Sequence, residues 1–171
     1  MAEAVGIERA EATSRLGELY TANVGRAVAL ATLLTGDRSI AEDVAHDAFV
    51  RVAGRFGDLR DPNAFGAYLR RTVVNLCHTR ARRAGRELAA SQRRREPDAT
   101  PPDTSVEDRD ELWSLMHALP YRQRAALVLR YWDDLSEAQI GEVLRCSPRA
   151  VNALLSRARE ALRNELGRSD A

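Results

Sequence analysis

The chain contains no lysine: all 26 of its basic residues are arginine. Arginine is the better fork for phosphates and base edges. A GC-rich coding sequence produces the same bias, so the absence alone names no partner. Cysteine is scarce as well. Cys77 and Cys146 stand far apart with no CxxC pattern, which fits free, buried thiols in a reducing compartment rather than a disulfide framework. No apolar run approaches the ~20 residues a membrane span needs. The opening "MAEAVGIERAEATSRL" lacks the basic segment and apolar stretch of a signal peptide. The expectation is a soluble, cytoplasmic protein with no membrane partner. Catalytic signatures are missing too: there is no Gly-rich phosphate loop, no Ser/His/Asp set and no oriented Cys–His pair. Neither an enzyme nor a cofactor is expected.

Net charge is equally uninformative at +1, but its distribution is not. Residues 1–61 carry ten acids against seven arginines, and residues 70–95 carry nine arginines against Glu87 alone. Residues 97–111 then swing to six acids against Arg109. Such asymmetry predicts an acidic surface early in the chain and a basic one in the middle.

Apolar residues recur with helical period and nothing alternates like a strand, so the expected class is all-α. A first helix is expected from about Ser14 to Leu34, closing at Gly36. A second opens at "SIAE" with Ser39 and Glu42 as a capping box, and stops at Gly57. Pro62 suits the first turn of a third helix, whose apolar signal fades after Gly85. The stretch "SQRRREPDATPPDTS", Ser91 to Ser105, has almost nothing to bury and reads as a flexible linker. Beyond it Pro120 starts one helix, and Ser136 with Gln139 caps another. Pro148 opens the last, which runs to about Leu166. The expected organisation is two small helical domains, 10–88 and 106–167, joined by a linker over 89–105. The second contains a helix-turn-helix.

Three surfaces stand out. On the last helix, Val151, Leu155, Ala158 and Leu162 form an inward stripe. Arg149, Ala153, Ser156, Arg157 and Glu160 are left facing outward, with Asn152 on the flank. Asn pairs with adenine, Arg with guanine, and Ala touches a thymine methyl, so this is a usable but thin kit for reading DNA. On the third helix, Phe65 and Tyr68 interleave with Arg70, Arg71 and Asn75, and Arg80, Arg82 and Arg83 follow. Aromatic rings stack unpaired bases while arginines track phosphates, although aromatics at this spacing also serve as core. On the second helix, Glu42, Asp43, His46 and Asp47 crowd one face. No second helix supplies matching ligands for a metal there. The acidic face suits a basic helical partner, with Phe49 and Val50 as apolar anchors.

In chain order, "AEDVAHDAF", "AFGAYLRRTVVN", a polar tether and "LRYWDDLSEAQIGEVLRCSPRAVNALLSRAREALR" resemble the extracytoplasmic-function group of bacterial sigma-70 family factors over roughly residues 14–166. The resemblance implies partners. Asp43, His46, Asp47 and Phe49 would dock on a coiled coil of the β′ subunit of core RNA polymerase, with the β flap a second contact. Leu59 to Asn63, Phe65, Tyr68, Arg71 and Asn75 would bind and help open the non-template strand of the −10 promoter element. Asn152, Ala153, Ser156 and Arg157 would read the −35 element. An anti-sigma protein, which holds many members inactive, is a further partner the resemblance admits. The chain also departs from the pattern: Arg145 replaces a glycine in the turn, Thr79 replaces an Asp, and "RAVNALL" replaces "GTVKSRL". Two readings compete with a working sigma factor. A stand-alone DNA-binding regulator would need a dimerisation surface and a more basic recognition helix. A degenerate relative would dock on partners but read no promoter.

Overall fold

The computed structural model describes residues 2–55, 64–92 and 108–169. Among them are seven α-helices and no strand: α1 (Ala2–Thr35), α2 (Arg38–Ala53), α3 (Phe65–Gln92), α4 (Asp108–Ala118), α5 (Tyr121–Tyr131), α6 (Glu137–Leu144) and α7 (Pro148–Ser169). The all-α expectation holds.

Helices α1, α2 and α3 pack through stripes at helical spacing. Ala41, Val44, Ala45, Ala48 and Val52 of α2 meet Ala27, Leu30, Ala31 and Leu34 of α1, and Phe65, Leu69, Val73 and Cys77 of α3 close the core. Alanines at fully buried positions let the helix axes approach closely.

The boundaries differ from the sequence reading for local reasons. Helix α2 is capped by Asp37, whose carboxylate accepts from the Ile40 N–H at 2.9 Å; Ser39 lies inside the first turn. Asp is as good an N-cap as Ser. It directly follows Gly36, whose φ of +79° turns the chain out of α1. Helix α2 ends at Gly54 rather than at Gly57, which lies outside the described residues together with Pro62. Helix α3 continues past Gly85, carried by alanines and the Arg83–Glu87 pair one turn apart rather than by burial. Most of the expected linker falls outside the described residues.

In the second group the expected capping box is present, and a second cap appears beside it. Ser136 and Gln139 exchange side-chain and backbone hydrogen bonds in a capping box, and Ser147 accepts the Ala150 N–H at the start of α7. Helix α5 is buried on every side from Arg124 to Leu129. A helix that is buried all round needs neighbours on both flanks. Helices α6 and α7 cover one, and α1 and α3 cover the other. The two groups therefore share one apolar core through α5.

Polar contacts key this junction. The Tyr121 hydroxyl donates to the Val74 carbonyl at 2.7 Å, and the His78 ring stacks on Tyr121 at 5.1 Å. Burial pushes the Tyr121 phenol up, so it stays protonated as the donor, and burial pushes the Cys77 thiol up to about 12. The His117 ring lies against Gly36. Burial, reinforced by Arg124, holds His117 down to about 4, which keeps the ring neutral.

Candidate nucleic-acid and polymerase interfaces

The acidic face of α2 points to solvent: Glu42, Asp43, His46 and Asp47 are all exposed, opposite the buried alanine and valine stripe. Asp47 is 3.7 Å from Arg80 of α3, and both side chains are about half exposed. Phe49 is half-buried, meeting Tyr20 edge-on at 4.8 Å and Phe65 at 5.6 Å. It supports the face from beneath, while Val50, 54% exposed, is an apolar side chain at the surface beside it.

On α3 the structure separates residues that the sequence groups together. Phe65 is only 1% exposed, seated in the core among its aromatic neighbours. It cannot stack a base from there, so its expected role as a contact is corrected to one of support. The position opens the helix, and the core claims its ring. Tyr68 is 48% exposed, and Arg71 and Asn75 are half-buried beside it. The three line a groove of about 810 Å³ whose other walls include Arg51, Arg55 and Arg145. None of its four arginines makes an ion pair among the described residues. Among the described residues the groove therefore gathers positive charge beside an aromatic ring and an amide. Arg70 points elsewhere: its guanidinium is 25% exposed and pairs with Asp133. Asn63 lies outside the described residues, as does the loop from Leu59.

The helix-turn-helix is formed by α6, a turn over 145–147, and α7. Val151, Leu155 and Ala158 are buried against α5 and α6, while Arg149, Asn152, Ala153, Ser156 and Arg157 are all exposed. Arg149 and Arg157 make no ion pair among the described residues. The Asn152 amide donates to Glu137 of α6 at 3.0 Å. This exposed bond can be traded for a base edge. The turn needs a left-handed residue after α6, and Arg145 adopts φ 53°, ψ 55° there. An L-residue pays about 1–2 kcal/mol for that conformation, which is why glycine suits the position.

Sequence reasoning missed Asp133 and its cations. The Asp133 carboxylate is 1% exposed; Arg26 of α1 donates to it from Nε at 3.0 Å and from a terminal nitrogen, and Arg70 of α3 pairs with its other oxygen. The Arg26 guanidinium also lies 5.0 Å from the Trp132 ring centre. One signal was available: "DD" follows the C-terminus of α5, where the helix dipole disfavours anions, so a cation had to be supplied from elsewhere. Arg145 as a wall of the α3 groove left no such trace, because it depends on how the two groups pack.

Among the described residues no helix is long and apolar enough to cross a membrane. Two family profiles match, "Sigma-70 region 2" over residues 19–87 and "Sigma-70, region 4" over residues 109–162. The chain is 34% identical over 139 residues to the RNA polymerase sigma-E factor of Streptomyces avermitilis, covering 80% of this chain and 76% of that protein. It is 29% identical over 147 residues to the ECF RNA polymerase sigma factor SigW of Bacillus subtilis, covering 78% and 79%. The probable RNA polymerase sigma factor RfaY of Xanthomonas campestris is 33% identical over 159 residues, and there the chain spans 40% of the relative's length. The fold is similar to that of the sigma factor RpoE solved with the anti-sigma factor NepR from Bartonella quintana. That match has a TM-score of 0.69 at 20% identity and covers 88% of this chain and 96% of that one. With both regions in order and relatives matched along most of its length, the chain belongs to the extracytoplasmic-function group of the sigma-70 family.

Proposed function

We propose that this chain is a promoter-specificity subunit that recruits core RNA polymerase to a two-element promoter, in keeping with a family of DNA-binding transcription regulators rather than enzymes. The observation that carries the reading is the α3 groove, where arginines with no ion pair among the described residues sit beside Asn75 and an exposed Tyr68. Arginine holds phosphates and an aromatic face stacks an unpaired base, which suits one strand of a melted −10 element. In this reading Asp43, His46 and Asp47 bind the β′ coiled coil, with Val50 as the apolar anchor. Arg149, Asn152, Ala153, Ser156 and Arg157 read the −35 element, and the β flap holds the helix-turn-helix. The two DNA-binding units are the group α1–α3 and the group α4–α7, and the site of action is the cytoplasm. Two weak DNA contacts become useful because polymerase holds both at once, so the second binding is effectively intramolecular.

Arg157→Ala tests the reading face. Discrimination between the preferred −35 sequence and single-base variants is expected to fall about tenfold, since one good side-chain–base pair contributes ~1–3 kcal/mol. Affinity for core polymerase should not change. Transcription assays on matched promoter variants measure the first and a core-binding titration the second. Full selectivity in the variant would remove Arg157 from the face.

A second reading, a relative that binds polymerase but reads no promoter, draws on the Asn152–Glu137 bond, which occupies the one amide among the proposed −35 contacts. It predicts that transcripts made with core share no upstream motif.

A further inference from the structure

We propose that Glu137 is a positioning residue for promoter reading: its carboxylate turns the Asn152 amide so that α7 selects adenine at one step of the −35 element. This rests on the reading of α7 as the recognition helix.

Glu137 is the first residue of α6, and Asn152 lies near the start of α7. The two side chains meet across the helix-turn-helix, where Asn152 Nδ2 donates to Glu137 Oε1 at 3.0 Å. Backbone holds both ends of this bond. The Ser136–Gln139 capping box sets where α6 begins. Val151, next to Asn152, is fully buried, and α6 packs along α7. Arg149 and Ser156, three residues before Asn152 and four after, are exposed on the same face of the helix. A hydrogen bond between exposed groups contributes little to stability, because water competes for both. What it supplies here is orientation.

Orientation matters because an amide is ambivalent. Its oxygen accepts, its NH2 donates, and half a turn exchanges them. A carboxylate only accepts, so the atom that Asn152 turns towards Glu137 has to be nitrogen. Glu137 makes no ion pair among the described residues, which leaves this amide as the group its carboxylate holds. One N–H is used by the bond. The second N–H and Oδ1 remain, a donor and an acceptor. Adenine shows the complementary pair in the major groove, an N7 acceptor beside an N6 donor. Guanine shows two acceptors, N7 and O6, and would set Oδ1 against an oxygen. An amide free to turn accommodates either base, and one held by Glu137 does not.

A carboxylate at this place also opposes DNA binding in general. The first helix of the motif crosses the phosphate backbone, so a negative charge at its start repels every sequence alike. Discrimination and overall affinity therefore respond differently to substitution at Glu137.

The experiment is run-off transcription with core polymerase and the full chain on a library randomised over the −35 region. Wild type is compared with Asn152→Ala, Glu137→Ala, Glu137→Gln and Glu137→Lys. Wild type should select adenine at one position, and Asn152→Ala should erase that preference alone, which identifies the position. Glu137→Ala should reduce the adenine preference there about tenfold, the loss expected for one bidentate contact. Other positions and core affinity should not change. Glu137→Gln, whose carbonyl still accepts the bond, should keep the preference while affinity for all sequences rises. Glu137→Lys replaces an acceptor by a donor. The amide should then turn its oxygen to the ammonium and its NH2 to the base, moving selection from adenine to guanine on the same strand. A helix merely weakened by substitution loses selectivity at several positions and acquires no new base. Adenine preference that survives Glu137→Ala or Glu137→Lys would overturn the inference, as would an equal loss across the whole element in Glu137→Ala and Glu137→Gln. A wild-type −35 motif that Asn152→Ala leaves intact would overturn it while the promoter reading stands; no motif at all would remove both.

Discussion

Gly141→Ala is expected to dismantle the helix-turn-helix and with it all −35 recognition. A Cβ on Gly141 would sit 2.6 Å from the Cys146 carbonyl oxygen, with Pro148 N at 3.7 Å behind it. The obstacle is backbone, so no side chain can rotate away. The turn must open, and the Cys146 N–H loses its 2.9 Å bond to the Gly141 carbonyl. Overpacking of this kind costs ~1–3 kcal/mol, and the lost hydrogen bond adds about 1 kcal/mol. Against the ~5–15 kcal/mol that holds a typical domain, this is a large fraction. The thermal midpoint by circular dichroism should fall sharply, with −35-dependent transcription lost. Arg145→Gly four residues on should raise the midpoint, with a stability gain of about 1 kcal/mol, because it relieves a left-handed arginine. A midpoint within error of wild type for Gly141→Ala would show that the turn is not built around that close approach.

The second large effect is expected from reversing charge on α2. Asp43→Arg with Asp47→Arg should lower affinity for core polymerase at least ~100-fold, since breaking a charge pair at an interface costs ~2–5 kcal/mol and reversal adds repulsion. The two residues are one helical turn apart on a single exposed face. The fold should survive. Asp43 is exposed, and the Asp47–Arg80 pair is long and half exposed, worth no more than ~1 kcal/mol. Titration of labelled core polymerase gives the affinity, and the thermal midpoint checks the fold. Core affinity unchanged in a folded double variant would move the docking surface off α2.

What the sequence made legible follows the range of the physics involved. Helical period and short-range capping are local, so the all-α class, the Ser136–Gln139 box, the Pro120 and Pro148 starts and the inward stripe of α7 could all be read directly. The N-terminus of α2 was misplaced by two residues because Ser39 and Asp37 both make credible caps, and only the glycine turn before Asp37 decides between them. Phe65 could be either core or contact from spacing alone; the proximity of Phe49 made it core. The exposed face of α7 was legible because the opposite stripe is so regular. The Asp133 cluster and the Arg145 wall were not, since they arise where helices distant in sequence meet. Arg26 and Asp133 are 107 residues apart, and no periodicity connects them.

The most direct test of the central claim is run-off transcription with purified bacterial core polymerase and this protein on a randomised promoter library, with the transcripts sequenced. Selected templates are predicted to share a two-element upstream motif whose distal part changes in Arg157→Ala. A protein that binds core yet yields transcripts with no common upstream sequence would contradict the account and mark α7 as a helix that no longer reads DNA.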